Sequence, residues 1–239
     1  MKKTVYLSTL FTFLFQFLVL FAQDKNELIN EAIFREFLKS ESPDLCLSIL
    51  KNPDNSYTNF CKAFLSKNDK EKIKLFTSFI ELKPNYGLSK AYFYRGIANQ
   101  NAENYKDSEF DLLKAIELNE NNFYSYFMLG ITQRNLDKFK EALINLDKAI
   151  ELNENVYFIY HLRGLTQSEL GNYEDAIDDY NESLKLEPNN VQCYLDLAEC
   201  YLSTGQKDEA LESIEKAKQL DKNDEYKIFI DRLLSKVGT

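Results

Sequence analysis

The chain has no tryptophan, a single histidine, four cysteines and four prolines among 239 residues. One histidine and scattered cysteines do not make the four-ligand set of a structural zinc site. Four prolines leave long stretches free of the residue that breaks a helix interior. Positive charge is also short: 29 Lys and Arg stand against 38 Asp and Glu, a formal net charge of −9. So acidic a chain is a poor partner for phosphate backbones, which argues against nucleic acid as a ligand. Aromatic rings, by contrast, are plentiful, with 18 Phe and 15 Tyr, and they suit a helical array with aromatic packing.

Long uncharged apolar sequence occurs at the start of the chain. Lys2 and Lys3 precede a run from Val5 to Phe21, which Ala22-Gln23-Asp24 ends sharply. That order reads as a secretory signal peptide over residues 1–22, and the expected location is exported, periplasmic or secreted. Leu20 is large where the cleavage rule wants a small side chain, and the run could instead remain as a membrane anchor over residues 4–22. No cysteine adjoins the cut, so a lipid anchor is not expected. Export raises the question of disulfides. Cys193 and Cys200 sit seven apart on one predicted helix, about 10.5 Å along its axis, too far to bridge. Cys46 and Cys61 lie on separate predicted helices and could meet; the alternative is a pair of small buried thiols.

The strongest pattern is a ladder. Gly96, Gly130 and Gly164 are spaced 34 residues apart, with Ala198 on the next rung, and Leu118, Leu152, Leu186 and Leu220 follow them at a constant offset. A strict period of this size marks a repeat array. Residues 89–122, 123–156, 157–190 and 191–224 align without gaps. Each holds two segments with apolar residues three and four apart, hence two amphipathic helices. Gly171 and Gly205 fall between the helices, where a left-handed residue can end the first one. Glu103 and Asp137 occupy that place in the first two units. Residues 53–86 read as a degenerate repeat with Phe60 in place of the glycine. Residues 24–52 read as N-terminal capping helices and residues 225–239 as a C-terminal capping helix.

This pattern resembles the tetratricopeptide repeat. The likeness rests on Tyr126, Leu129, Gly130, Phe139, Ala142, Leu146, Ala149 and Leu152 in one unit, and on Tyr160, Gly164, Gly171, Tyr173, Ala176, Tyr180, Leu186 and Pro188 in the next. Tyr194, Leu197, Ala198, Tyr201, Gly205, Ala210, Ala217 and Leu220 carry it in the last. The resemblance implies an all-α, right-handed superhelical solenoid of helix–turn–helix repeats. Within each pair the small residues admit a close crossing, Gly130 facing Ala142 and Gly164 facing Ala176.

The resemblance also implies a ligand groove lined by the first helices. Carried onto this sequence, the groove positions are Lys90, Phe93, Ile97 and Gln100; Tyr124, Phe127, Ile131 and Arg134; Phe158, His161, Leu165 and Ser168; and Gln192, Leu195, Glu199 and Leu202. The expected function is non-catalytic: binding of a protein or peptide with an apolar segment, without cofactor or metal. The alternative is a scaffold of a cell-envelope complex acting through its edges and convex face. Phe93 and Ile97 stand where the family's carboxylate-clamp members place Lys and Asn, so capture of an acidic tail is not expected. His161 is read as an aromatic groove or packing residue. Glu174, Asp175, Asp178 and Asp179 are expected to form a solvated outer face.

Overall fold

The computed structural model describes residues 30–51 and 56–238. Among these residues there are thirteen helices and no strand, so the fold is an all-α helical-repeat solenoid. None of the helices is long and apolar enough to cross a membrane. The signal or anchor segment over residues 1–22 lies outside the described residues. The chain divides into two compact units, one ending at Asn104 and the other beginning at Tyr105.

The first unit contains α1 (30–40), α2 (Pro43–Leu50), α3 (Thr58–Leu65), α4 (Asp69–Glu81) and α5 (Leu88–Asn101). Its interior is a cluster of aromatic rings in which Phe34, Phe37, Phe60, Phe76 and Phe79 are fully buried. Phe60 meets Phe34 edge-on at 5.0 Å, Phe76 at 5.2 Å and Phe79 at 5.1 Å between ring centres. Edge-to-face pairs at such distances add to the burial of the rings themselves. Phe60 stands where the later repeats carry glycine, so contacts between rings fill this unit. Gly87 shows how tight the filling is, because a Cβ there would come within 2.8 Å of the Phe34 ring. Cys46 and Cys61 share this core as free thiols, and their mutual hydrogen bond, together with burial, pushes the Cys61 thiol up.

The second unit is a regular stack: α6 (Tyr105–Leu118), α7 (Phe123–Asn135), α8 (Phe139–Leu152), α9 (Tyr157–Glu169), α10 (Tyr173–Leu186), α11 (Val191–Ser203), α12 (Lys207–Leu220) and α13 (Lys227–Val237). Each helix packs on the next, and α9 also touches α7 and α11. The polar clusters that end the second helices also begin the next ones. Asn122 accepts a hydrogen bond from the Tyr124 amide and Asn190 from the Cys193 amide, both at 3.1 Å, satisfying amides that a helix start leaves open.

The ladder glycines act one turn further along than their spacing suggests. A Cβ on Gly130 would approach Leu146 to 2.9 Å, and on Gly164 it would approach Tyr180 to 2.7 Å. The Ala142 and Ala176 carbonyls come next, at 3.6 and 3.2 Å. Each glycine therefore accommodates a large side chain of the second helix above the small one. In α10 that side chain is Tyr180, fully buried, and it links the ladder to the candidate site.

Candidate functional site

Three parallel members of the ladder, α7, α9 and α11, present the expected groove positions of the second unit. Phe127 of α7 and Phe158 of α9 meet with ring centres 4.8 Å apart. Both rings are half-buried against Leu146, Ala149 and Ile159, so their inner edges pack on the core while their outer edges stay accessible. Tyr124, one turn before Phe127, is 48% exposed and lies against Phe123 at 4.0 Å between ring centres. Ile131 is half-buried on the same helix. Leu165 is turned further inward, against the cluster of Ala176, Tyr180 and Cys200.

Polar groups border this apolar strip. His161 Nε2 lies 2.7 Å from Asp196 Oδ2, and Gln192 donates to the other carboxylate oxygen at 2.8 Å. The imidazole also packs edge-on against Tyr180 at 5.6 Å. His161 is therefore a polar tie between the first helices of successive repeats as well as a packing residue. Asp196 was not among the expected groove positions. Its register runs Tyr94, Met128, Leu162 and Asp196, so a lone carboxylate in an otherwise uncharged row is the signal that marks it. Arg134 supplies a cation to the strip: its Nη2 sits 3.8 Å from Glu169 Oε1, and its buried Nε has no acceptor.

The strip ends at α11. Leu195 is fully buried beneath Ile230 and Leu233 of α13, and Leu202 packs against the same cluster. Glu199, also expected in the groove, pairs with Lys236 of α13 at 3.1 Å. In the first unit, Lys90, Phe93 and Ile97 lie half-buried on α5. The Lys90 ammonium donates to Glu41 at the junction of α1 and α2, and Phe93 packs edge-on against Tyr94.

One expectation for the outer face is corrected. Glu174, Asp175 and Asp178 are exposed, but Asp179 is only 4% exposed and is gripped by Arg163. Arg163 Nε reaches both Asp179 oxygens, at 3.1 and 2.9 Å, and its Nη1 reaches Asp147 at 2.6 Å. The reason is geometric: Asp179 faces the first helix of its own repeat, where the half-buried Arg163 supplies its counter-charge.

Nothing in the strip is arranged as an activated nucleophile. Burial pushes the Cys193 thiol up to about 12 and raises Cys200 and Tyr180 as well, so all three are protonated near neutrality. Among the described residues, no three His, Cys, Asp or Glu side chains are placed to hold a metal ion. What the arrangement offers is an apolar, partly aromatic surface with an arginine and a carboxylate at its margins.

Two models of the tetratricopeptide repeat match the chain, over residues 112–144 and 168–233. Solved structures share the fold at low identity. A crystal structure of MamA is 21% identical over 71% of this chain and 91% of its own, with a TM-score of 0.64. YrrB, described as a TPR protein with an unusual peptide-binding site, is 19% identical over 86% and 99%, with a TM-score of 0.63. MamA from Desulfovibrio magneticus RS-1, from residue 41 onward, is 16% identical over 84% and 97%, with a TM-score of 0.61. No curated protein sequence matches the chain.

Proposed function

We propose, from the premise that this is a tetratricopeptide-repeat protein, that it is an exported, non-catalytic module binding a polypeptide through the strip on its first helices. The observation that carries the reading is the accessible aromatic surface of Tyr124, Phe127 and Phe158, with Arg134 and its unmatched Nε alongside. Aromatic side chains bring large apolar area with few rotatable bonds, and they dominate most protein interfaces. The fitting ligand is a segment with apolar side chains spaced to meet Phe127, Ile131 and Phe158. A carboxylate or backbone carbonyl on that segment would meet Arg134. YrrB, a protein of this fold with a peptide-binding site, supports the assignment of a polypeptide ligand. Lys2, Lys3 and the apolar run to Phe21 support export, which places the ligand outside the cytoplasm.

A second reading, a scaffold acting through the outer face, rests on the exposure of Phe110 (56%) and Ile144 (69%). They occupy the same register on consecutive second helices. Photo-cross-linking separates the two readings. Reactive side chains at positions 124 and 131 are expected to label a bound polypeptide, and those at 110 and 144 are not. Tyr124→Asp, at a half-exposed position, should abolish capture of that polypeptide while leaving helicity and melting temperature nearly unchanged. Phe127→Asp should also abolish capture but lower the melting temperature, because its ring packs on the core. Labelling from 110 and 144 alone would transfer the function to the outer face.

A further inference from the structure

The outer face of the second unit carries a cleft that its repeat pattern leaves unfilled. Between α8 and α10, Arg163 rises from α9, passes the Tyr160 ring at 5.8 Å and bridges Asp147 to Asp179. Thirty-four residues further on, the same three positions are Asn181, Leu197 and Ser213, while the tyrosine persists as Tyr194. The ion triplet has thus become three neutral residues, and no guanidinium rises between α10 and α12 at this register. In its place is an open cleft of about 1100 Å³, and Asn181, Leu197, Ser213 and Tyr194 all line it.

We infer that this cleft receives an arginine-bearing segment of a partner protein, which supplies the guanidinium that Arg163 supplies internally one repeat earlier. Charge favours that occupant. Asp178 and Glu182 of α10 and Glu209, Glu212 and Glu215 of α12 line the cleft, against only Lys185 and Lys216. Lys185 is itself paired with Glu182 on its own helix. The floor suits an arginine side chain as well. Leu197, only 3% exposed, closes the cleft from beneath, and the partly buried Tyr194 and Tyr201 beside it offer apolar rings to the stem and planar head. Arginine fits better than lysine because its fork can meet carboxylates on both walls at once. The cleft shares no residue with the first-helix strip.

The test is fluorescence anisotropy of the full chain with a labelled peptide alternating arginine and leucine. Its counterpart carries citrulline, the neutral isostere of arginine, at each arginine. The arginine peptide is expected to bind at least about tenfold more tightly than the citrulline peptide. The triple variant Asn181→Asp, Leu197→Arg and Ser213→Asp rebuilds the Arg163 arrangement and should weaken binding by about tenfold. Glu209→Gln with Glu212→Gln, at exposed positions that leave the core untouched, should weaken it by a similar factor. Tyr124→Asp should leave this binding unchanged. The proposal is overturned if both peptides bind equally, or if the glutamate pair retains wild-type affinity. It is equally overturned if Tyr124→Asp, or the control pair Glu117→Gln with Glu151→Gln, causes the same loss.

Discussion

At the scale of single residues, the turn between the helices of a repeat shows one conformation met by two chemistries. Gly171 and Gly205 both have φ of 79°, in the left-handed region that glycine enters freely. Asp137 and Glu103 hold the same place with φ of 57° and 60°. The hydrogen bonding is the same with or without glycine: Lys138 donates to the Gln133 carbonyl at 2.9 Å and Asn172 to the Gln167 carbonyl at 3.0 Å. The fold therefore dictates the turn, and the side chain at Asp137 is carried at a steric cost of about 1 kcal/mol. Part of that cost would be offset by the greater freedom of a glycine in the unfolded chain. Asp137→Gly is accordingly expected to stabilise the protein by about 0.5 kcal/mol, a rise of about 2 °C in thermal melting. An unchanged or lower melting temperature would show that the aspartate is not strained there.

At the scale of helices, the periodic region was legible because each repeat solves the same packing problem at the same spacing. Gly130 with Leu146 and Gly164 with Tyr180 are two instances of one solution, so the glycines alone reveal the helix pairs. The site was legible where it reuses that register, as with Phe127 and Phe158, and illegible where it departs from it. Asp196 took a position that is uncharged in the three preceding repeats, and Asp179 looked like any other acidic residue of an amphipathic helix. The first unit hid its packing altogether, since a core of contacting phenylalanines obeys no fixed period.

Asp179 and Arg163 give the helix scale its prediction. Burial raises the Asp179 carboxyl above its usual range, while the hydrogen bonds and charge of Arg163 pull it back. Arg163→Leu would remove that compensation and leave a buried carboxylate between α9 and α10. The expected loss is about 3 kcal/mol in urea unfolding followed by circular dichroism. With the carboxyl of the variant raised in the folded state, its stability should recover as pH falls and the group is neutralised, and decline as pH rises. Adding Asp179→Ser copies the Leu197 and Ser213 arrangement of the following repeat and should restore most of the loss. A double variant as unstable as the single one would mean that Arg163 acts through packing and not through its charge.

At the scale of the whole molecule, a repeat array must cover the apolar faces at its ends, and this chain does so by two different means. At the C-terminal end, α13 lays Ile230 and Leu233 over Leu195, Ile214 and Ala217, an apolar cover with the ion pair of Lys236 and Glu199 at its margin. In the first unit, apolar packing is joined by a polar fastening, with Glu41 between α1 and α2 accepting from Lys90 and Tyr94 of α5. Burial alone would raise the Glu41 carboxyl, but the hydrogen bonds from Lys90 and Tyr94 outweigh it and hold the group below its usual value of 4.5. A carboxyl lowered on folding contributes stability that is fully present above 4.5 and is lost as pH falls through the lower folded value. At the other end the ion pair of Lys236 with Glu199 is about half exposed and borders the apolar cluster, where solvent screens it. Hydrogen exchange read by mass spectrometry should therefore show protection in residues 30–51 and 88–101 declining as pH is lowered past 4.5, with intrinsic exchange rates corrected at each pH. Glu41→Gln should flatten that dependence, because the amide cannot titrate. If the wild type and Glu41→Gln lose protection along the same pH curve, the fastening at Glu41 is not what links this unit to pH.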